Sequence, residues 1–335
     1  MASDRIAVAD RPLGEFERIA RFFAPLAGPG ALNLSDDVAL IDGPAGEQYA
    51  LTTDTIIEGV DYFPDDPPFQ VAQKLLRVNL SDIAAKGAVP FGYLLTTALP
   101  KTHGDTWLAE FTKGLAADQK EFGVMLLGGD SSGTPGPATL TLALIGKVAK
   151  GRAVLRSTAR AGDQIYVSGT LGDAALGLAV RKGELGKELS AAERDYLVDR
   201  YRLPRPRVAL GPHLGGIAHA MIDISDGLLA DLGHISGASG LRGVVRQSLL
   251  PLSPAARTAI AANPTLNSAV TGGGDDYELL LTAPAEAADA IAKASAAVGV
   301  PVTAIGAMEK GDGVALLDAA GRALKVELKG YAHFS

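Results

Sequence analysis

Six short acidic motifs lie along the chain, each beside a glycine or at the end of an apolar run. They are SDD at 35–37, TTDT at 52–55, NLSD at 79–82, GGDSSG at 128–133, DISDG at 223–227 and GGGDDYE at 272–278. Carboxylates placed at strand ends beside glycine can form oxygen-rich sites for hard cations such as Mg2+, which prefers carboxylate, water and phosphate oxygens. The pattern indicates a metal-dependent enzyme that acts on phosphate groups.

No single motif decides this, because an Asp before a glycine is most often a turn former or a helix N-cap. Other known metal and phosphate motifs do not fit. Asp223, Ser225 and Asp226 do not match the spacing of an EF-hand loop, and the chain has no P-loop and no protein-kinase signature. It also has no HExxH and no GxSxG, so zinc-protease and serine-hydrolase chemistry have no support. The five histidines are expected in surface or capping roles.

The composition limits the class of protein and its partners. At 335 residues the chain is long enough for about two domains. A formal net charge of -7 predicts no nucleic-acid partner, and it requires several divalent ions if the ligand is a nucleotide triphosphate. The chain has no cysteine, no apolar signal segment at its N-terminus and no run long enough for a membrane helix. We therefore expect a cytoplasmic protein without a membrane partner.

In the first half, the spacing of apolar residues predicts alternating helices and strands. Helices are expected over 15–23, 69–86 and 106–122, and strands over 38–41, 49–53, 90–100, 124–127 and 139–148. Asp37 and Asp54 should meet at the ends of the first strand pair. Asn79 and Asp82 should share one face of the second helix. Such alternation is typical of α/β or α+β domains.

A second unit is expected after a boundary near residues 147–162. Strands are predicted over 164–168, 220–223, 278–282, 302–305 and 314–317, with helices after 172, over 191–201, after 227 and over 284–297. We place the first domain at residues 1–149 and the second at residues 150–335.

Arg156 lies between the two predicted domains, where its planar guanidinium could reach a β- or γ-phosphate. A solvated linker arginine is an equally simple interpretation. Lys147, Arg152 and Arg160 are alternatives for the same role.

The ordered segments SDD, TTDTIIEGVDYF, NLSDIAAKGA, GGDSSG, GRAVLRS, DISDGLLADLGH, GGDDYEL and KGYAHF resemble the thiamine-monophosphate kinase family. This family belongs to the aminoimidazole-ribonucleotide-synthetase-like superfamily, and the resemblance spans about residues 14 to 334. It implies ATP-dependent phosphorylation of thiamine phosphate to thiamine diphosphate. It also implies a homodimer with two domains in each chain. The N-terminal α/β domain would bind ATP and metal and mediate dimerisation, with its sheet pairing across the dimer into a barrel. The C-terminal α+β domain, with a mixed sheet, would complete the nucleotide and substrate site.

Carried over motif by motif, the resemblance assigns four groups of residues. The Mg2+ ligands would be Asp37, Thr52, Thr53, Asp54, Asp82, Asp130, Asp223 and Asp226. The nucleotide would contact Gly129, Asp130, Arg156 and Ser225, and the acceptor would contact Asp61, Asp275 and Tyr331. Asp54, Asp82, Asp130 and Arg156 would be catalytic. The number of metal ions, and whether K+ joins them, is left open.

Three positions depart from the family pattern. Ser35 replaces the usual glycine of a GDD motif, Asp61 replaces a histidine, and Asp275 replaces a glutamate. We expect Asp37 to keep its metal role beside Ser35. Asp61 exchanges a hydrogen-bond donor for an acceptor, and Asp275 is one methylene shorter, so a water could bridge its contact.

The expected mechanism is direct in-line transfer of the γ-phosphoryl group without a phosphoenzyme. An acceptor phosphate has a second pKa of about 6, so it needs little help from a general base. Alignment and charge neutralisation are what it requires. Two alternatives stay open at this point: another ATP-dependent synthetase of the same superfamily, and a non-catalytic nucleotide- or metal-binding module.

Overall fold

The structure is a computed structural model that describes residues 19–20, 24–26 and 29–325. The helix predicted over 15–23 falls mostly outside these ranges, and Tyr331 lies outside them entirely. Within the described part the chain forms one five-stranded and one six-stranded sheet.

The first sheet has the strand order β1-β2-β5-β3-β4. Its strands are β1 (Ala39–Asp42), β2 (Glu47–Ile57), β3 (Val89–Leu99), β4 (Met125–Gly133) and β5 (Thr139–Ala149). The pair β3 and β4 is parallel, whereas the other neighbours are antiparallel. Two helices of this half are α1 (Pro68–Ala85) and α2 (Asp105–Phe122).

Alternation along β5 shows why this sheet forms. Leu140, Leu142 and Leu144 are fully buried, and the residues between them are only partly buried. Side chains two apart share a face of a strand, so the three leucines form one apolar surface. They share a core cluster with Leu76 and Leu80 of α1.

The second sheet has the order β11-β8-β10-β6-β9-β7. Its strands are β6 (Gln164–Ser168), β7 (Ala220–Asp223), β8 (Arg242–Arg246), β9 (Leu279–Ala283), β10 (Val302–Glu309) and β11 (Gly313–Leu317). The helices are α3 (Asp173–Arg181), α4 (Ala191–Arg202), α5 (Gly211–Leu214), α6 (Leu228–Ser239), α7 (Pro254–Ala262), α8 (Asn267–Gly272) and α9 (Ala288–Val298). The pair β8 and β11 is parallel, and the other pairs are antiparallel.

Helix α1 lies between the two sheets. It packs against β2 and β5 of the first sheet and against β7 and β9 of the second. Its side chains can therefore meet residues from both halves of the chain.

The two-unit architecture with helices on mixed sheets agrees with the prediction. Three details are wrong. Asp54 lies inside β2, because that strand continues to Ile57, and the GGDSSG motif lies inside β4 rather than after it. The N-terminal sheet is also mostly antiparallel instead of α/β in type. Strand β8 and helices α7 and α8 had not been predicted, and Pro284 precedes a 3-10 turn over Ala285–Ala287 that leads into α9. The domain boundary at 149/150 stays a prediction.

Strand β4 is the edge of the first sheet, and all nine of its residues are exposed. Met125, Leu126 and Leu127 are each 45 to 49% exposed there. A long apolar edge with unpaired backbone groups is a template for pairing with another chain.

In the described ranges, no helix is both long and apolar enough to cross a bilayer.

Candidate active site

A cavity of about 440 Å³ lies where α1 meets both halves of the chain. Seven of the predicted site residues line it: Asp54, Asp61, Asp82, Asp223, Ser225, Asp226 and Asp275. Lys74 also lines it and is the cationic residue among those lining it in the described part of the chain. A wall with six carboxylates repels phosphate unless cations are bound.

Three carboxylates from separate elements converge beside this cavity, and two of them, Asp82 and Asp223, line it. Asp37 comes from the turn before β1, Asp82 from α1 and Asp223 from the end of β7, and one oxygen of each lies within 4.8 Å of the others. Burial raises the pKa of Asp82 well above its usual value, and the charges of Asp54 and Asp223 raise it further. Burial also raises the pKa of Asp223. Carboxylates held together against this cost form a site suited to a divalent cation.

Strand β2 is fixed to α1 by two hydrogen bonds beside this group. The Thr52 hydroxyl donates to Asp82 Oδ2 at 2.6 Å, and the Asp54 backbone N–H donates to Asn79 Oδ1 at 3.1 Å. Asn79 and Asp82 thus share one face of α1, as predicted. The contacts hold Thr52 and Asp54 on the face of the sheet that looks toward α1.

Two cationic side chains contact the Asp36–Asp37 turn. The Lys86 ammonium, directly after α1, is 2.8 Å from Asp36 Oδ1 and also contacts the Asp37 carboxylate. The Arg156 guanidinium contacts the other oxygen of Asp37, and its backbone N–H donates to Asp36 Oδ2 at 3.0 Å. Burial lowers the pKa of Arg156, and nearby aspartates, Asp36 first, counteract this. Arg156 is therefore held against the Asp36–Asp37 turn and is not a solvated linker arginine, although it does not line the cavity.

The DISDG and GGGDDYE motifs are joined by backbone hydrogen bonds. Asp275 N–H donates to Ser225 O at 2.9 Å, and Tyr277 N–H donates to Ile224 O at 2.8 Å. A side chain at Gly274 would collide with Ser225 O, so only glycine permits this approach. Asp275 and Tyr277 have φ values of 68° and 50°, a left-handed conformation that is uncommon for residues with a side chain.

A second group lies beside the first, at the start of α6. One ligand atom each of Asp226, Asp231 and His234 lies within 4.8 Å of the others. Asp231 Oδ2 accepts hydrogen bonds from the backbone N–H groups of Asp226 and Gly227 at 3.1 and 3.0 Å, which fixes this loop. Burial lowers the pKa of His234 to about 4, with Arg156 contributing, so the imidazole is neutral at pH 7. His234 is half-buried beside two carboxylates, and its three-residue spacing from Asp231 was the signal for their proximity.

The opposite part of the cavity wall carries Lys74 and Tyr201. Lys74 Nζ donates to Asp61 O at 2.8 Å and to Asp275 Oδ2 at 3.2 Å, and lies 4.2 Å from the centre of the Tyr201 ring. The Asp61 carboxylate accepts the Ile57 N–H at 2.7 Å, so this side chain caps a turn. Neither Lys74 nor Tyr201 was predicted from the sequence.

Thr53, Gly129 and Asp130 do not line this cavity. The Thr53 hydroxyl donates to Leu142 O at 3.1 Å, and strand alternation places it on the face opposite Thr52 and Asp54. The strand register puts Asp130 in one row with Thr96, Thr141 and Thr55, three strand spacings or about 14 Å from Thr55 along the sheet. A side chain at Gly129 would collide with Leu95 O. The structure therefore does not bring Asp130 to the three-carboxylate group.

Comparisons with known proteins agree with this architecture. The family model for the N-terminal domain of AIR synthase related proteins matches residues 35–148, and the model for their C-terminal domain matches residues 160–318. Two domains of this kind around a carboxylate-lined cavity define an AIR synthase related protein.

More specific relatives share most of the chain. The thiamine-monophosphate kinase of Caulobacter vibrioides is 40% identical over 93% of this chain and 88% of its own length. The crystal structure of thiamine-monophosphate kinase from Stenotrophomonas maltophilia K279a is 39% identical, with a TM-score of 0.77 over 86% of this chain and 90% of that chain. AaThiL complexed with AMPPCP and TMP is 31% identical, with a TM-score of 0.85 over 96% and 97%. The chain belongs to the thiamine-monophosphate kinase family.

Proposed function

We propose that this chain transfers the γ-phosphoryl group of ATP to the phosphate of thiamine monophosphate, releasing ADP and thiamine diphosphate. The observation that carries the proposal is the convergence of Asp37, Asp82 and Asp223 beside a cavity that both halves of the chain line. The relatives named as thiamine-monophosphate kinases and the AaThiL complex with AMPPCP and TMP support it.

The carboxylate group fits Mg2+ in the chemistry of its donors. Asp37, Asp82 and Asp223 offer hard oxygens from three elements. Thr52 donates a hydrogen bond to Asp82, and Asp54 and Asp226 line the same cavity, so we propose that these three residues complete the donor set. Mg2+ bound there would offset the charge of two phosphate reactants that the aspartates otherwise repel. We propose Thr53 and Asp130, which share the outer face of the first sheet, as further ligands. A K+ requirement stays a prediction.

The remaining residues bind and align the reactants. Arg156 and Ser225, with Gly129 and Asp130, are proposed to hold the nucleotide. Asp61, Asp275 and Tyr331 are proposed to contact the acceptor. The Asp61 carboxylate also fixes the turn that carries it, by accepting the Ile57 N–H. Because the acceptor phosphate is largely deprotonated at pH 7, alignment and neutralisation suffice for direct in-line transfer without a phosphoenzyme.

We also propose a homodimer in which the edges of two β4 strands pair and the joined sheets form a barrel. The support is the exposure of all nine β4 residues and of the apolar run Met125, Leu126 and Leu127. The cytoplasmic location stays a prediction from the sequence.

One assay tests the activity. Purified protein is given ATP and Mg2+ with thiamine monophosphate, with thiamine or with no acceptor, and ADP release and product mass are measured. ADP and thiamine diphosphate should form only with thiamine monophosphate. Asp54→Asn should lower the rate at least about a hundredfold, as expected when a metal-site charge is removed, whereas the exposed Asp195→Asn should not. ADP formed only with a purine-pathway acceptor would favour a sibling synthetase, and no ADP with any acceptor would favour a binding module.

A further inference from the structure

We propose that the Lys86 ammonium is a resident cation of the carboxylate group. It stays beside Asp36 and Asp37 when Mg2+ binds, and supplies a fixed positive charge that a further metal ion would otherwise have to supply. This holds whichever phosphate acceptor the enzyme uses, because it concerns only the cations of the site.

Lys86 is fully buried, which is rare for lysine unless the charge is paired. It follows α1 directly, four residues after Asp82, and both its backbone N–H and its backbone carbonyl form hydrogen bonds. Its N–H donates to carbonyls of the last turn of α1, and its carbonyl accepts the Val154 N–H at 3.2 Å. The side chain therefore starts from a fixed point beside the metal-binding carboxylates.

The ammonium has three polar contacts inside the protein. It donates hydrogen bonds to Asp36 Oδ1 at 2.8 Å and to Met221 O at 3.1 Å, and it forms an ion pair with the Asp37 carboxylate. Two of its three hydrogens are therefore used in hydrogen bonds, and the ion pair adds a second carboxylate partner. Met221 lies in β7, two residues before Asp223, so both halves of the chain hold the charge.

The charges of the group show what the ammonium does. Asp36, Asp37, Asp82 and Asp223 supply four carboxylates, and Lys86 and Arg156 supply two positive charges. Asp54 and Asp226 at the same cavity add two further carboxylates, so carboxylates outnumber the cationic side chains. Without Lys86 this excess would grow by one, and a further divalent ion would bind more favourably.

The two cations differ in their access to water. The Arg156 side chain is 16% exposed, whereas Lys86 is completely enclosed. A metal ion approaching Asp37 can displace the guanidinium toward solvent. Displacing the ammonium would leave a buried charge without a partner, which is strongly unfavourable. A metal ion that binds Asp37 should therefore displace Arg156 and leave Lys86 in place.

The main test counts metal ions without relying on turnover. Mn2+ binding is titrated by electron paramagnetic resonance for the wild type, Lys86→Met and Lys86→Arg, with Lys150→Met as a control in an exposed lysine–aspartate pair. Lys86→Met should bind one additional Mn2+ or bind Mn2+ at least tenfold more tightly, and its melting temperature should rise more on adding Mg2+. Lys86→Arg and Lys150→Met should match the wild type. An unchanged Mn2+ isotherm in Lys86→Met would overturn the proposal.

A measurement on the wild type covers the case in which Lys86→Met does not fold. With lysine labelled by 15N, the buried Lys86 ammonium, held by two hydrogen bonds and an ion pair, should give a slowly exchanging Nζ resonance, assigned by its absence from Lys86→Arg. It should shift but persist at saturating Mg2+. Its loss to fast exchange with water would mean that the ammonium is displaced, which contradicts the proposal.

Discussion

The Lys74 ammonium lies 3.2 Å from Asp275 Oδ2, and this ion pair connects α1 of the first half of the chain with the GGGDDYE loop of the second. Asp275 adopts a left-handed conformation there, with φ of 68°. The pair holds an unfavourable backbone conformation in place at the cavity wall. Lys74 also covers the Tyr201 ring, so its removal would loosen two lining residues at once.

Lys74→Met is therefore expected to weaken acceptor binding selectively. Hydrogen bonds to charged groups contribute about 1.5–3 kcal/mol, so KM for thiamine monophosphate should rise about tenfold or more while KM for ATP changes about twofold at most. Steady-state kinetics with each substrate varied in turn measures this. Lys113→Met, in an exposed pair on α2, is the matched control. Equal increases in both KM values would contradict a role at the acceptor end.

Asp82→Asn should separate stability from activity. The variant keeps an oxygen for the Thr52 hydroxyl but removes a buried charge whose pKa is raised by burial and by Asp54 and Asp223. Without metal, the variant should be more stable than the wild type at neutral and alkaline pH, because a buried carboxylate is costly to ionise and an amide is not. Its thermal shift on adding Mg2+ should be smaller, and its turnover should fall at least about a hundredfold.

Differential scanning fluorimetry with and without Mg2+ measures the stability part. Asp195→Asn, at an exposed position of α4, should show neither effect. A metal-free Asp82→Asn variant that melts below the wild type would show that the carboxylate is stabilising by itself, against this expectation.

The pH dependence of stability should contain a contribution from Asp276. Burial raises the pKa of this carboxyl from its ordinary 3.8 to about 8, although the Gly172 N–H and Arg200 oppose the shift. The folded state therefore prefers the protonated form. Its stabilisation is complete below about pH 3.8 and is lost as the pH rises through about 8, at up to about 1.4 kcal/mol per pH unit.

Asp276→Asn stays neutral at every pH. Its unfolding free energy should therefore fall less than that of the wild type as the pH rises from about 3.8 to about 8. Urea unfolding of both proteins without metal across this range measures the difference. Asp312→Asn, at an exposed position, is the control. Parallel profiles for the wild type and Asp276→Asn would mean that Asp276 is ionised in the folded protein.

Leu126→Lys should weaken the proposed dimer without unfolding the protomer. Leu126 is 49% exposed on the edge strand β4, where a partner strand would cover it. Burying a leucine contributes about 1.5–3 kcal/mol, so its loss should raise the dimer Kd about tenfold or more. Light scattering after size exclusion gives the mass, and circular dichroism checks the fold. Leu249→Lys, at another exposed apolar position, should leave the mass unchanged.

The sequence predicted elements whose signal is local. Helix α1 follows from the helical spacing of Val71, Leu75 and Val78, and β6 was predicted with its observed bounds. The extension of β4 was missed because Gly128 and Gly129 usually interrupt a strand, whereas here the close approach to β3 requires a glycine.

The site was predictable through its aspartates but not through its lysines. Lys86 follows a helix, where a lysine needs no special explanation. Its partners Asp36 and Met221 are 50 and 135 residues away in the sequence. Lys74 and Asp275 are 201 residues apart. A local sequence pattern carries no information on contacts between residues so far apart in the sequence. The contacts of Lys74 and Lys86 could therefore be identified only from the structure.

One uninterrupted helix carries both ends of the cavity. Lys74, Val78 and Asp82 follow each other at four-residue intervals on one face of α1, so about 12 Å of helix axis separates the ion pair from the carboxylates. A helix cannot stretch as a loop does, and its length changes only in steps of about 1.5 Å per residue. An acceptor that binds as proposed, between Lys74 and the carboxylates, would therefore meet a fixed spacing, and a compound with a shorter spacer between ring and phosphate should bind more weakly.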